Sequence, residues 1–296
     1  MSKLLSGIFA PITTPFENEE VSYRRLKENV LKYAQTPLKG LFVIGSNGEA
    51  KSLTEDEKLK ILETVLQVKG RDQVIMAGAG YESTRQTIAF SKKVASIGVD
   101  FVSLVTPSYF KKSLTDEALI GYYKDVAEAV GVPVLIYNAP GFTGITVSPK
   151  VVETLSRHPN IAGMKDTSPG NIANYLDVSG EDFAVLAGTV NFLFIGLSLG
   201  ARGGVVSLAN AFPNPCCELF DSYTKGDVGT ARRLHTRLFR LNQSVSGAGG
   251  VAAVKQAMDF AGYHGGLPRL PLLPLGDSQK QRIKAAIKEA GLESSL

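Results

Sequence analysis

Short apolar runs alternate with longer stretches of helical period along most of this chain. The runs occupy residues 7–10, 40–44, 74–77, 101–105, 134–137, 161–165, 183–186 and 203–207. Each has the length and composition of a strand covered on both faces. Between them, helix starts carry the expected chemistry. Thr54-Glu55-Asp56-Glu57 and Ser83-Thr84-Arg85-Gln86 read as capping boxes, in which a hydroxyl and an acid or amide satisfy free amides reciprocally. Ser148-Pro149 puts proline at a first helical position, where its missing N–H costs nothing. Gly98, Gly131 and Gly200 fall at helix ends, where a left-handed residue is wanted. Eight strands alternating with helices imply a parallel sheet, and eight close naturally into a (β/α)8 TIM barrel. After about residue 225 the strand pattern stops. Residues 230–241, 251–261 and 279–290 read as three helices, joined in part by the glycine- and proline-rich stretch 262–276. The expected organisation is a barrel over residues 1–225 that carries the site, then a helical extension over 226–296.

An open doubly wound sheet is the alternative, and it would want a dinucleotide loop. The only candidate, Gly78-Ala79-Gly80-Tyr81-Glu82-Ser83, lacks the third glycine. Asp100 precedes a run, whereas the ribose-binding acid follows one. Composition narrows the field further. The 296 residues carry a formal net charge of +4, with 32 Lys+Arg against 28 Asp+Glu. Basic and acidic residues are interspersed, so neither nucleic acid nor a membrane surface is an expected partner, and Lys92-Lys93 and Lys111-Lys112 read as solvated faces. Cys216 and Cys217 are adjacent, with no third cysteine and no nearby histidine. They read as small apolar filler in a reducing cytoplasm rather than as a disulfide or zinc site. No apolar run approaches the roughly 20 residues that span a bilayer, and the polar start of the chain does not read as a secretory leader. His158, His235 and His264 fall in expected helix ends or loops, at the surface.

In a barrel of this kind reactive groups sit at the C-terminal ends of strands. The second run ends in Gly45-Ser46-Asn47-Gly48-Glu49 and the fourth in Thr106-Pro107-Ser108-Tyr109. The fifth ends in Tyr137-Asn138, the sixth in Lys165-Asp166-Thr167 and the seventh in Gly188-Thr189. No run ends in histidine and no two carboxylates converge, which argues against the usual metal sites and two-carboxylate hydrolases. What remains is one amine, two phenols, hydroxyls and backbone amides, a kit suited to Schiff-base carbonyl chemistry. A free lysine is almost wholly protonated at neutral pH, a handicap of roughly 4.6 kcal/mol that burial can offset in part. Strand alternation puts Leu135 and Tyr137 on one side, and Ile161, Gly163 and Lys165 on one side. Each feature also has a plain reading. Lys165 can be a rim lysine that snorkels to water, Tyr137 a core tyrosine, Gly45 to Glu49 a simple turn, and the glycines at 188, 203 and 204 barrel-closing residues or a phosphate loop. Their joint occurrence on one barrel face favours chemistry.

These motifs carry a family resemblance. From about Gly7 to Leu273 the chain resembles the pyruvate-dependent class I aldolases that include dihydrodipicolinate synthase and N-acetylneuraminate lyase. The resemblance rests on Thr13-Thr14-Pro15-Phe16, Gly45-Ser46-Asn47-Gly48-Glu49, Tyr137-Asn138-Ala139-Pro140 and Gly163-Met164-Lys165-Asp166. Within that family it is most similar to 4-hydroxy-2-oxoglutarate aldolases. They share the Ser-Asn form of the turn, the run from His158 through Asp166, and Gly249-Gly250-Val251-Ala252-Ala253-Val254-Lys255. The resemblance implies a cofactor-free, metal-free enzyme, commonly a homotetramer of two tight dimers. It casts Lys165 as the Schiff-base lysine, Tyr137 as acid/base and Ser46 as the hydroxyl that relays its protons. Tyr109 matches a tyrosine contributed by a neighbouring subunit. Asn47 with Ser46 would hold the pyruvate carboxylate, and Thr167, with the backbone at Gly188 and Val205, would line the pocket.

One departure bears on the substrate. Dihydrodipicolinate synthases carry an arginine where this chain has Phe142, and a phenyl ring cannot replace a bidentate cation. Ser46 stands for the usual threonine of those synthases, and Ser108 for a second aromatic residue found in many members. The expected activity is therefore cleavage of a 4-hydroxy-2-oxo acid, first 4-hydroxy-2-oxoglutarate, to pyruvate and an aldehyde. A 2-oxo-3-deoxy sugar acid, dihydrodipicolinate synthesis, and a non-catalytic 2-oxo acid sensor are the alternatives.

Overall fold

The computed structural model describes residues 5–293. Eight parallel strands close into a barrel: β1 Gly7–Pro11, β2 Gly40–Val43, β3 Val74–Gly78, β4 Phe101–Val105, β5 Val134–Asn138, β6 Ile161–Asp166, β7 Ala184–Ala187 and β8 Gly203–Val205. Each strand pairs with its sequence neighbours, and β1 closes the ring by pairing with both β2 and β8. The helices that return between strands are α1 Tyr23–Tyr33, α2 Glu55–Val68, α3 Thr84–Ile97, α4 Asp116–Ala129, α5 Pro149–Leu155, α6 Ile172–Val178 and α7 Leu193–Ser198. Helix α8, Pro213–Thr224, follows β8, and a two-stranded ribbon, Phe16–Glu17 with Glu20–Val21, sits beside the mouth of β1. Every TIM-barrel strand run expected from the sequence is present.

Two apolar cores follow from strand alternation. Inward side chains, among them Phe9, Phe42, Met76, Phe101, Leu135, Leu186 and Val205, fill the barrel itself. Outward residues pack against the helix ring. Burying each large aromatic or aliphatic side chain contributes about 1.5–3 kcal/mol, so the barrel interior is a packed floor beneath the mouth rather than a channel.

Three local expectations need correction. Thr54 and Glu57 do form a reciprocal capping box, but Ser83 only accepts the Gln86 N–H, and its own hydroxyl turns to the Gln86 side chain. Helix α4 ends in an extended Val130, so Gly131 is not left-handed, unlike Gly98 and Gly200. The third lies in β6. A bulge between Val134 and Leu135 shifts the register, so Leu135 opposes Gly163. Ile161 therefore packs outward, and Ala162 takes the inner face that simple alternation gave to Ile161.

Beyond the barrel run three helices: α9 Val228–Asn242, α10 Ala248–Phe260 and α11 Asp277–Glu289. A wide turn at Gln243–Gly247 and a non-helical Gly250 (φ 54°, ψ −141°) bring the start of α10 over the barrel mouth. His235 lies in the middle of α9, half-buried and stacked on Phe194 at 5.6 Å, rather than at a helix end. Cys216 and Cys217 are free and buried in α8. No helix among the described residues is long and apolar enough to cross a membrane.

Candidate active site

The amine and the phenol arrive side by side because of register. Tyr137 and Lys165 are direct partners across β5 and β6, one position before the strands end. Both face inward, and Lys165 is only 6% exposed. Its Nζ stands 4.3 Å from the centre of the Tyr137 ring and 5.1 Å from that of Phe42. The next pair, Asn138 and Asp166, faces outward and ties the two strand ends together. Asn138 Nδ2 donates to Asp166 Oδ1 at 2.8 Å and to Tyr175 Oη at 3.0 Å, while Asn138 Oδ1 accepts the Val147 N–H. Ser168 adds its hydroxyl and amide to the same Asp166 oxygen, whereas Oδ2 is buried without a hydrogen-bond partner. Burial pushes the Asp166 carboxyl above its ordinary value, against those donors. Behind the reactive pair, then, stands a buried polar bracket that fixes where both strands stop.

The Ser46 hydroxyl lies 3.3 Å from Tyr137 Oη. It is carried by the turn after β2, which begins at Ile44 with φ 50° and includes Glu49 with φ 54°. A positive φ is uncommon for any side chain and strained for a β-branched one, at about 1–3 kcal/mol each. Such strain at a strand end is a mark of a functional turn. Asn47, the next residue, donates from Nδ2 to Ser207 Oγ at 2.8 Å, bridging the turn to the segment after β8.

A cavity of about 400 Å³ contains Lys165, Tyr137, Ser46, Asn47, Thr167, Gly188 and Phe142. The sequence thus placed most of its candidates in one space. Gly188 is required there, because a Cβ would stand 2.3 Å from Thr167 Cγ2 and 2.5 Å from the Asp166 carbonyl oxygen. Thr167 itself is held by its hydroxyl on the Asn138 carbonyl. The Val205 side chain packs in the barrel interior, and the Ser207 side chain lines the cavity wall beyond it. Tyr109 stands apart, 80% exposed, with its ring edge-on to Phe110 at 5.0 Å. Its turn is clamped by Glu82, which accepts the Ser108 and Tyr109 amides. Burial works against the Glu82 anion, but those amides hold its carboxyl below the ordinary value.

Sequence reasoning missed the far wall. Ser246, Gly249, Gly250, Val251, Ala252 and Val254 reach the cavity from the helical extension, and Leu272 and Leu273 roof it. The Gly249 to Lys255 motif was the only signal for that wall. A larger cavity, about 740 Å³, opens on the other side of Ser46 between the ends of β2 to β4 and helices α2 and α3. It lacks Lys165, so the smaller space is the one with the chemistry. There a carbonyl carbon could meet the amine while the phenol and hydroxyl exchange its protons. Among the described residues Lys165 is the only cationic side chain lining that space, and a carboxylate would have to be held by hydroxyls and amides.

Comparison with known proteins gives the family. The chain is 32% identical to a 4-hydroxy-tetrahydrodipicolinate synthase of Geobacter metallireducens over 288 residues, covering 97% of this chain and 99% of that one. Among solved structures it resembles the dihydrodipicolinate synthase of Acinetobacter baumannii complexed with pyruvate (TM-score 0.92, 29% identity, 97% and 99% coverage). It also resembles a monomeric dihydrodipicolinate synthase variant (TM-score 0.93, 28% identity, 98% of both chains). These relatives carry the synthase name, not the 4-hydroxy-2-oxoglutarate aldolase name suggested by the motifs. Residues 4–290 match the dihydrodipicolinate synthetase family, and the chain belongs to that family of class I, lysine Schiff-base lyases.

Proposed function

We propose that this pyruvate-dependent aldolase cleaves a 4-hydroxy-2-oxo acid, first 4-hydroxy-2-oxoglutarate, reversibly to pyruvate and an aldehyde. Lys165 Nζ attacks the 2-oxo carbon, and loss of water from the carbinolamine gives a protonated imine. Tyr137 takes the proton of the 4-hydroxyl as the C3–C4 bond breaks, and the bonding pair moves into the imine to form an enamine. The aldehyde departs. Protonation at C3 and hydrolysis then release pyruvate and the free amine. Ser46 passes protons to and from the phenol, and Asn47 with the turn amides takes the substrate's first carboxylate.

The observation that carries this reading is the register pairing of Tyr137 with Lys165, with Ser46 Oγ 3.3 Å from the phenol. Phe142 supports the choice of substrate. It is 73% exposed at the cavity rim and offers an apolar ring where the synthases place a guanidinium. The far carboxylate of a hydroxy-oxoglutarate would meet Ser207, Ser246 and the backbone near Gly249 instead. The synthase names of the relatives favour the second reading, condensation of pyruvate with aspartate semialdehyde. We also propose a cytoplasmic homotetramer of two tight dimers, in which the exposed Tyr109 serves the neighbouring subunit's site.

Pyruvate release from 4-hydroxy-2-oxoglutarate, followed by coupling to lactate dehydrogenase, tests the reading. Release that disappears in Lys165→Ala is expected. No release, with dihydrodipicolinate formed from pyruvate and aspartate semialdehyde, would replace it by the second reading.

A further inference from the structure

A buried ion pair lies just behind the turn that carries Ser46, and the chemistry above does not use it. Lys255 Nζ sits 2.6 Å from Glu49 Oε1, with side chains 0% and 1% exposed. The approach is off the axis of a good hydrogen bond, so the contact is electrostatic more than directional. Lys255 also donates to the Leu267 carbonyl at 2.9 Å and stands 4.4 Å from the Phe16 ring centre. Burial pushes its ammonium down, while Glu49 opposes that shift. The other Glu49 oxygen accepts the Arg269 N–H at 2.8 Å. The Arg269 guanidinium in turn grips Glu57 through two bonds of 2.7 and 2.9 Å and lies 4.5 Å from Phe16.

A pair this buried is a poor stabiliser, because desolvation offsets its attraction and apolar residues of similar volume would serve as well or better. What a buried pair does is penalise every arrangement that separates it. The two partners here belong to different walls of one cavity. Glu49 ends the turn, and its N–H is bonded to the Ser46 carbonyl at 3.1 Å. Lys255 follows Val254 on the helix whose start forms the far wall. Through Leu267 and Arg269 the pair also anchors the loop that delivers Leu272 and Leu273 to the roof. The left-handed Glu49 backbone is held locally by its own N–H on Ser46 and by the Ser52 N–H on its carbonyl, and its side chain by the network above.

We propose that Glu49 and Lys255 are positioning residues, which register the Ser46 turn against helix α10 so that the hydroxyl stays within reach of the Tyr137 phenol. The inference rests on the Schiff-base reading and goes beyond it. The double variant Glu49→Gln/Lys255→Met, which leaves no unpaired charge, is the test in the full-length protein. It should fold, and at saturating pyruvate borohydride should trap as much imine on Lys165 as in the wild type. Its kcat should fall about 10- to 100-fold with KM little changed, as expected when a catalytic group is displaced by about 1 Å. In a Ser46→Ala background the same pair of changes should cost almost nothing more. A kcat equal to wild type, or a full multiplicative loss on top of Ser46→Ala, overturns the proposal. Should the double variant not fold, Glu49→Gln/Lys255→Gln keeps the acceptor for Arg269, also leaves no charge unpaired, and the same two outcomes apply. Absence of trapped imine in the wild type sinks the Schiff-base reading itself, and this inference with it.

Discussion

Replacing Tyr137 by phenylalanine isolates the phenol's chemistry from its packing. The ring is buried, meets Phe42 edge-on at 5.8 Å and lies beneath the Lys165 ammonium. Phenylalanine keeps all of those contacts. What leaves is a hydroxyl whose one partner among the described residues is Ser46 Oγ, at a long 3.3 Å. Loss of one such bond costs about 0.5–1.5 kcal/mol of stability, and its length favours the low end. The kinetic cost is larger. A positioned acid/base is worth about 10²- to 10⁴-fold, or about 2.7–5.5 kcal/mol of barrier. Tyr137→Phe should therefore melt within a few degrees of wild type while kcat for pyruvate release drops by at least about 100-fold. Because imine formation is an equilibrium with Lys165, borohydride should still trap pyruvate after long incubation. A kcat within about threefold of wild type, a barrier change under ~1 kcal/mol, would refute the assignment and leave Tyr137 as a packing residue.

Phe142→Arg, at an exposed rim, should change stability by less than about 0.5 kcal/mol and raise condensation with aspartate semialdehyde; no gain in that assay would mean that position 142 does not separate the two activities. The Arg269 fork is the largest of several causes that hold the Glu57 carboxyl below its ordinary value. That stabilisation is complete above the unfolded pKa and is lost as pH falls through the lowered folded pKa. Arg269→Met should therefore flatten the acid side of the stability profile, and an unchanged acid slope would contradict the pairing. Burial pushes the Cys217 thiol up to about 12 and the Cys216 thiol well above its ordinary value. A thiol reagent at pH 8 should leave both untouched until the protein is unfolded, and prompt reaction in the native state would show that α8 is open to solvent.

Much of this was readable beforehand because it is local. Apolar runs of strand length announced the barrel, and their last residues announced the amine, the phenol and the turn hydroxyl. Simple alternation failed at Ile161 because a bulge adds a residue without changing composition. It also missed Ser246, the backbone near Gly250 and the Lys255–Glu49 pair, since contacts between a C-terminal helix and an early turn have no periodic trace. Val205 shows the converse limit. The family motif gives only its backbone a place at the pocket; its inward side chain belongs to the barrel floor, and Ser207, which no motif marked, forms the wall. Tyr109 was found as a motif, but its side chain stands exposed and away from the cavity.

Lys165 is expected to form a Schiff base with a 2-oxo acid at the mouth of this barrel. Incubation with pyruvate and borohydride, followed by proteolysis and mass spectrometry, tests it directly. A single reduced pyruvyl adduct should appear on the peptide that carries Lys165, with loss of activity in proportion to labelling. An unmodified Lys165 peptide, or activity that survives full labelling elsewhere, would contradict it.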